Sequence, residues 1–563
     1  MRARQPAADA PWLASYPSGI DWSADFPAMP LWDLFDQAVE RYADRPCLDF
    51  LGRVWSYRQI GRLVDRAAVG LQALGVGPGT RVGLFLPNCP YFVICFFAVL
   101  KAGGTVVSYN PLYAEREIAH QIEDSETDLM VTLDLALLLP KLAPMLTRTR
   151  LKAIVVGRMA DMLPYPKKLL FPLLKVRELA GVPDDGRHVW FDELIANGGG
   201  VSAVPDAWRD VAVLQYTGGT TGVPKGAALT HRNLQVNAQQ MVAWHPGVAP
   251  GAERVVALLP LFHVFGMTCA MNFALCVGAE IILLPRFDLV QLLRTIERRR
   301  ATILPGVPTL FRAINHCRAV GRYDLSSLRL GVSGGAPLPL QVKERFEQLS
   351  GCPLVEGYGL TECPVVSCNP IGGAGKPGSI GLPLPGTRIE VVSLEDRRTP
   401  LGPGERGEIC VRGPQVMAGY WNRPAETAAV LDGGRLHTGD IGYMDEEGAC
   451  FVVDRLKELI ICSGFNVYPR VVEEAISGHP DVAEVAVCGV PDGYRGETVK
   501  AFVVPRERAR LDETALLAFL RDRLSPIEMP KLIEFRDQLP KSAVGKILKR
   551  ELLDARPAAP AAR

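Results

Sequence analysis

Residues 211–230 read VAVLQYTGGTTGVPKGAALT: an apolar hexapeptide, a glycine- and threonine-rich loop, and a second apolar run. Gly218, Gly219, Gly222 and Gly226 let backbone N–H groups come close to an anion. Thr217, Thr220 and Thr221 offer hydroxyls to phosphate oxygens, and Lys225 adds a charged donor. This composition suits a polyphosphate; an unliganded glycine turn is the bland alternative. The rival nucleotide reading is a Walker A loop, which needs Ser or Thr after its lysine to hold magnesium and opens directly onto a helix. Here Gly226 follows Lys225 and GAALT comes next, so the loop is expected to join two strands. The helix then starts only at a Thr230 cap, with Leu234, Ala238, Met241 and Val242 on one face.

Outward from the loop, helical and strand patterns alternate. Trp32 to Arg41 and Tyr57 to Leu74 read as amphipathic helices, and Arg81 to Leu86 and Gly104 to Ser108 as strands flanking a helix over Tyr91 to Ala102. The rhythm returns at Val255 to Leu259, Asp288 to Arg300 and Leu328 to Ser333, which predicts an α/β fold with two stacked α/β subdomains. From Arg388 the texture turns β-rich (RIEVVS, GEICVRG, ACFVVD), as in a small barrel or meander. After DRLKEL at 454–459 a compact α+β pattern follows: helix Pro469 to Ser477, strands Val485 to Gly489 and Val499 to Val504, helix Glu513 to Leu524. The predicted division is 1–454 for a large lobe and 455–563 for a small lid, with a Pro/Ala tail disordered from about 555.

Composition narrows the classes. The 563 residues are 48% hydrophobic and 22% charged with a net charge of +1, which gives no general attraction to nucleic acid or to an anionic membrane. The 13 cysteines include no C-x-x-C pair and read as reduced thiols in a cytoplasmic protein rather than a metal or disulfide framework. The N-terminal MRARQPAADAPWLASYPSGIDW has no apolar run behind its arginines and does not read as a signal peptide. The longest apolar run, Tyr91 to Leu100, is ten residues, against the ~20 of a membrane span.

The loop YTGGTTGVPKG resembles the phosphate loop of the acyl-adenylate-forming superfamily, which includes acyl-CoA synthetases, luciferases and the adenylation domains of peptide synthetases. Gly218 stands where that family commonly has Ser. Other motifs agree in order. EGYGLTE at 356–362 resembles the adenine and metal motif: Tyr358 to stack on a purine, Glu356, Gly357 and Gly359 beside it, Thr361 to donate to the α-phosphate, and Glu362 as a hard oxygen ligand for Mg2+. HTGD at 437–440 resembles the ribose motif through Asp440, supported by its spacing from Arg455. PLFHVFG at 260–266 supplies His263, Phe265 and Gly266 beside the acyl carboxylate, although a lone His on an apolar segment is ordinarily a core residue. SGGAP at 333–337, with Gly334, Gly335 and Ala336, matches the strand end where acyl chain and adenine meet; a plain strand-to-helix turn would use the same glycines. Lys546 in LPKSAVGKILKREL matches the family's C-terminal catalytic lysine, and Lys457 its hinge.

The resemblance implies a mobile C-terminal lid and a two-step reaction. ATP-dependent activation of a fatty or related non-amino acid gives acyl-AMP and pyrophosphate, and transfer to CoA follows. Lys546, Thr220, Lys225, Glu362 and His263 are the expected catalytic groups, with Thr217, Thr221 and Gly222 completing the nucleotide contacts. Amino-acid-activating relatives carry an Asp in the segment matching 263–273, which here reads HVFGMTCAMNF. The nearest texture is that of bacterial medium/long-chain fatty acyl-CoA synthetases. A carrier-protein-loading ligase and a dicarboxylate or aryl acid–CoA ligase remain open. Leu163 to Leu179, apolar and ringed by Lys167, Lys168, Lys175 and Arg177, is the candidate for peripheral contact with the inner membrane face; a helix covering the large lobe is its alternative.

Overall fold

The computed structural model describes residues 10–554 except 28, 202–206, 218–223, 373–374, 463–464, 494, 508, 510, 543–544 and 546. Two large sheets dominate. One runs, in order, Leu382–Pro383, Cys363–Cys368, Leu354–Leu360, Leu330–Ser333, Ile303–Gly306, Arg254–Ala257, Glu280–Leu283, Pro46–Phe50 and Arg53–Ser56. The other runs Gly419–Tyr420, Gly226–Thr230, Val211–Tyr216, Thr105–Ser108, Arg81–Leu84, Leu129–Leu133, Ala153–Gly157 and His188–Trp190. Their centres are parallel, as α/β layering requires, so the carboxyl ends of several strands share one edge of each sheet, where such folds bind ligands.

Local chemistry explains where the helices start. Ser56 accepts from Gln59 N–H and the Gln59 side chain returns the bond, so Tyr57–Ala73 begins on a capping box. Thr230 and Asn233 do the same for His231–Trp244, and the Asp288 side chain caps Leu289–Arg299. The glycine-rich loop therefore does join two strands, with the helix one strand later. The apolar helix Pro90–Lys101 is buried along its whole length. Phe97 stacks on Phe35 at 4.7 Å, and the Lys101 ammonium is matched by Asp36 and Asp65, each at 2.7 Å. It is a core helix, and among the described residues no helix is long and apolar enough to cross a membrane.

Arg388–Val392, Gly407–Arg412, Arg435–Met444, Leu431–Asp432 and Cys450–Arg455 form the expected small antiparallel β unit. The fourth sheet has its own core around Ile460, Val472, Val487, Ala501 and Leu516. Its strands are longer than the sequence predicts, Val482–Asp492 and Gly496–Pro505, and its second helix stops at Leu520. Ile460–Cys462, Phe465–Val467 and Leu532–Phe535 are further strands that sequence reading missed. They are too short to show a period and owe their state to pairing. The tail from 555 lies outside the described residues.

Candidate active site

The shoulders of the glycine loop are closed by strand pairing. Tyr216 opposes Gly226, and Thr217 N–H donates to the Lys225 carbonyl at 2.9 Å. Gly218, Gly219, Thr220, Thr221 and Gly222 lie outside the described residues. The Tyr216 hydroxyl donates to Asp124 Oδ2 at 2.6 Å while Arg423 Nη2 holds Asp124 Oδ1 at 2.5 Å. Burial first, then Asp124, push the Tyr216 phenol far above its usual range, so it stays a donor. Lys225 Nζ sits 5.2 Å from the centroid of the Tyr420 ring, a cation–π distance. The Tyr420 hydroxyl in turn donates to Glu362 Oε1 at 2.6 Å. One tyrosine thus touches both the cation after the loop and the carboxylate expected to bind metal. Sequence reading missed Tyr420, because it reaches the site on the two-residue edge strand Gly419–Tyr420 paired with Gly226–Thr230.

On the side expected to take adenosine, the Tyr358 hydroxyl donates to Asp440 Oδ2 at 2.5 Å and Arg455 Nε faces Asp440 Oδ1 at 3.1 Å. The second contact follows from register, since Asp440 and Arg455 are opposite each other on neighbouring strands. Asp440 is the main group stabilising the Arg455 charge against burial, with smaller contributions from Glu458, Tyr358 and Glu362. The two halves are joined through the chain, since Tyr358 lies on Leu354–Leu360 and Glu362 in the turn that follows it. Gly357, Gly359 and Thr361 lie on the same strand and its turn. Glu356 is buried against Leu338 N–H at 3.2 Å, and burial pushes its carboxyl up to about 7.

On the side expected to take the acid, burial pushes the His263 imidazole down to about 4, so the ring is neutral. Phe265 N–H donates to His263 Nδ1 at 3.2 Å, which leaves the proton on Nε2 as an outward donor. The preceding carbonyl, Phe262 O, accepts from Gln215 Nε2 at 2.9 Å and ties this segment to the strand entering the glycine loop. Gly266 opens a π-helical stretch, Gly266–Asn272, a rare geometry concentrated at functional sites. A Cβ on Gly334 would meet the Phe265 ring at 3.0 Å and Gly357 O at 3.2 Å, so three of the expected motifs touch at one point. Gly335 has φ +78° and Ala336 is partly buried beside it. The Ser333 hydroxyl is fully buried and finds no hydrogen-bond partner among the described residues.

The C-terminal unit reaches this edge. A Cβ on Gly545 would lie 3.0 Å from Thr309 Oγ1 and 3.7 Å from Val307, the residue nearest the Cβ position of Gly335. Lys546 lies outside the described residues. Lys457 is exposed in a turn closed by Glu458 N–H to Arg455 O at 3.0 Å.

Residues 35–421 match the family "AMP-binding enzyme" and residues 471–546 match "AMP-binding enzyme C-terminal domain". The long-chain-fatty-acid–CoA ligase of Bacillus subtilis (strain 168) is 44% identical over 97% of this chain and 98% of its own length. That of Escherichia coli O157:H7 is 42% identical over 96% and 98%. Among solved structures, ATP-bound MatB from Rhodopseudomonas palustris has a TM-score of 0.82 at 29% identity, covering 93% of this chain and 99% of that one. The anthranilate CoA ligase AuaEII with anthranoyl-AMP has a TM-score of 0.82 at 26% identity, covering 94% and 98%.

Proposed function

The chain belongs to the AMP-binding enzyme family, and from that premise we propose that it converts a long-chain fatty acid to its CoA thioester through an acyl-adenylate. In the first step a carboxylate oxygen attacks the α-phosphorus of ATP. The bond from that phosphorus to the bridging oxygen breaks, and pyrophosphate leaves with the electron pair. In the second step the CoA thiolate attacks the acyl carbon and AMP departs with the oxygen that joined it. The observation that carries the reading is that the strand Leu354–Leu360 and the turn after it carry both clusters, Tyr358 on Asp440 and Arg455 and Glu362 on Tyr420 beside Lys225.

The roles follow from chemistry. Thr217, Gly218, Gly219, Thr220, Thr221 and Gly222 cradle the phosphates, and Lys225 and Lys546 offset their charge. Tyr358 flanks the adenine, with Gly335, Ala336, Glu356, Gly357, Gly359 and Thr361 around it, and Asp440 and Arg455 hold the ribose. The neutral His263 donates from Nε2 to the acid, beside Phe265, Gly266 and Gly334. Preorganised donors of this kind supply most of the acceleration, and no protein nucleophile is needed. Glu362 fits a magnesium ion: Tyr420 occupies one oxygen, and among the described residues no hydrogen bond takes the second. Bound there, the ion would neutralise phosphate charge. We place the division between lobe and lid at 454/455, with Lys457 as hinge.

The fatty acid is supported by the names of the two bacterial relatives and by the buried apolar Val264, Met267, Met271 and Phe273 with no Asp among them. The test is pyrophosphate release and thioester formation with ATP, magnesium and CoA across fatty, aryl and dicarboxylic acids. Turnover with long-chain acids is expected; turnover confined to aryl or dicarboxylic acids would overturn the assignment.

The same reading extends to location. The helix Lys167–Leu174 buries none of its residues, and Leu173 and Leu174 are 76% and 73% exposed between Lys167, Lys168 and Lys175. This supports contact with an anionic membrane surface, where insoluble acids partition. Leu173→Glu/Leu174→Glu should abolish co-sedimentation with anionic vesicles; unchanged binding would remove this helix from the contact.

A further inference from the structure

Asp440 stands on an irregularity. Where Arg435–Met444 pairs with Gly407–Arg412, His437 opposes Cys410 and Ile441 opposes Glu408. Only Ile409 lies between the paired positions on one strand, whereas Thr438, Gly439 and Asp440 lie between them on the other. These residues therefore bulge from the ladder, a device that re-aims a side chain next to a site. A bulge strands backbone donors, and each needs a partner. Asp440 N–H donates to Thr438 Oγ1 at 3.0 Å, and the Thr438 hydroxyl donates to Ile409 O at 2.6 Å. Gly439 N–H donates to a side chain, Glu408 Oε1, at 3.1 Å.

Glu408 is fully buried. Arg397 grips it from the far side, Nε to Oε2 at 2.8 Å and Nη2 to Oε1 at 2.9 Å, and His437 Nδ1 lies 3.0 Å from Oε2. Arg397 has φ +55°, a conformation a residue with a Cβ keeps only where its surroundings enforce it. Glu408, Cys410 and His437 bring donor atoms within 4.8 Å of one another, a spacing a metal could use. The guanidinium, however, already covers both Glu408 oxygens and would repel a cation there. Burial works against the Glu408 charge, yet the Arg397 and His437 hydrogen bonds outweigh it and hold the carboxyl below its usual range, so it remains an acceptor.

We propose that Glu408, braced by Arg397, is a positioning residue for Asp440: it pins the bulge from which Asp440 meets Tyr358 and Arg455, and thereby sets how strictly the enzyme distinguishes ATP from nucleotides lacking a ribose hydroxyl. This rests on the ribose reading of Asp440. A site that must hydrogen-bond a hydroxyl rejects an analogue without it because its own polar groups are left unpaired, and that rejection needs a fixed carboxylate.

The experiment compares kcat and KM for ATP, 2′-deoxyATP and 3′-deoxyATP in acid-dependent pyrophosphate release, for wild type, Glu408→Ala, Glu408→Gln, Arg397→Lys and Asp440→Ala, with thermal melts alongside. Asp440→Ala should lose discrimination. Glu408→Ala should lose roughly tenfold of it, through KM for ATP more than through kcat. Glu408→Gln should recover part, because its amide oxygen can still accept from Gly439 N–H, and Arg397→Lys should fall between Glu408→Gln and wild type. If Glu408→Ala does not fold, the Gln and Lys variants carry the comparison. Wild-type discrimination in folded Glu408 and Arg397 variants, with Asp440→Ala impaired, would overturn the proposal for Glu408 alone. Wild-type discrimination in Asp440→Ala would overturn the ribose reading and the proposal with it.

Discussion

The Tyr420 hydroxyl donates to Glu362 at 2.6 Å while its ring lies 5.2 Å from the Lys225 ammonium, so one side chain holds the spacing between the cation and the anion proposed to face phosphate. Glu362→Gln should keep the fold and lose about 10²–10³ in adenylation rate, the usual cost of removing one electrostatic element of a preorganised site. Tyr420→Phe keeps the ring and frees the carboxylate, so it should raise the magnesium concentration needed for half-maximal rate more than it lowers the rate at saturation. A magnesium titration of both variants checks this, and wild-type curves for both would remove the pair from the phosphate end. A second residue-scale expectation concerns His245, 4% exposed, edge-on to Phe273 at 6.4 Å and pushed by burial down to about 4. Its folded value lies below the unfolded ~6.5, so the unfolded chain binds the extra proton and this group costs stability as pH falls from about 6.5 towards 4. His245→Gln should therefore gain on wild type by up to about 1.4 kcal/mol per pH unit across that window, read by urea unfolding at pH 7.5, 6 and 5. Parallel curves would mean that His245 takes up its proton equally in the folded and unfolded chain, so that burial does not shift it.

Elements with local causes were legible in the sequence, and elements made by partners were not. Thr230 and Asp288 announce helix starts through their own side chains, and GAALT after the loop reads correctly as a strand. The bulge at Thr438–Asp440, the edge strand bearing Tyr420 and the π-helical turn after Phe265 depend on pairing and packing across long sequence separations, which no period encodes. The same contrast holds in the C-terminal unit. Its helix Lys549–Asp554 begins on Lys549, whose ammonium sits 2.7 Å from Glu458, the residue after the proposed hinge Lys457, and 2.9 Å from Glu473. Burial opposes that charge, but Glu473 and Glu458 outweigh it and hold the lysine protonated well above its usual range. Lys549→Met should leave two neighbouring carboxylates uncompensated and cost about 1–2 kcal/mol, below the ~3–5 kcal/mol of a fully buried pair because all three side chains keep 21% exposure, with Lys549→Arg recovering much of it. Urea unfolding of the full chain measures this; an unaffected Met variant would show the pair to be solvated.

At the scale of the molecule, two stacked α/β layers and a β unit present one edge to a separate C-terminal domain, and that order was readable from motif succession alone. How the domain meets the edge was not, because contacts such as Gly545 against Thr309 and Arg312 against the Ala483 carbonyl join residues far apart in sequence. If Lys546 serves adenylation and the thiol must later approach the same carbon, the domain has to turn between steps, and the turn at Arg455–Glu458 can absorb the dihedral change. Lys546→Ala should then abolish acyl-AMP formation while a supplied acyl-AMP still reacts with CoA. Lys457→Pro should slow thioester formation more than pyrophosphate release. Equal losses in both half-reactions for both variants would remove the alternation. The central claim, that the acid is activated by displacement at the α-phosphorus, is tested most directly by following carboxylate oxygen. With a long-chain acid labelled with oxygen-18 in its carboxylate, the account predicts one labelled oxygen in the AMP released on thioester formation and none in pyrophosphate. Unlabelled AMP, or label in pyrophosphate or free phosphate, would contradict it.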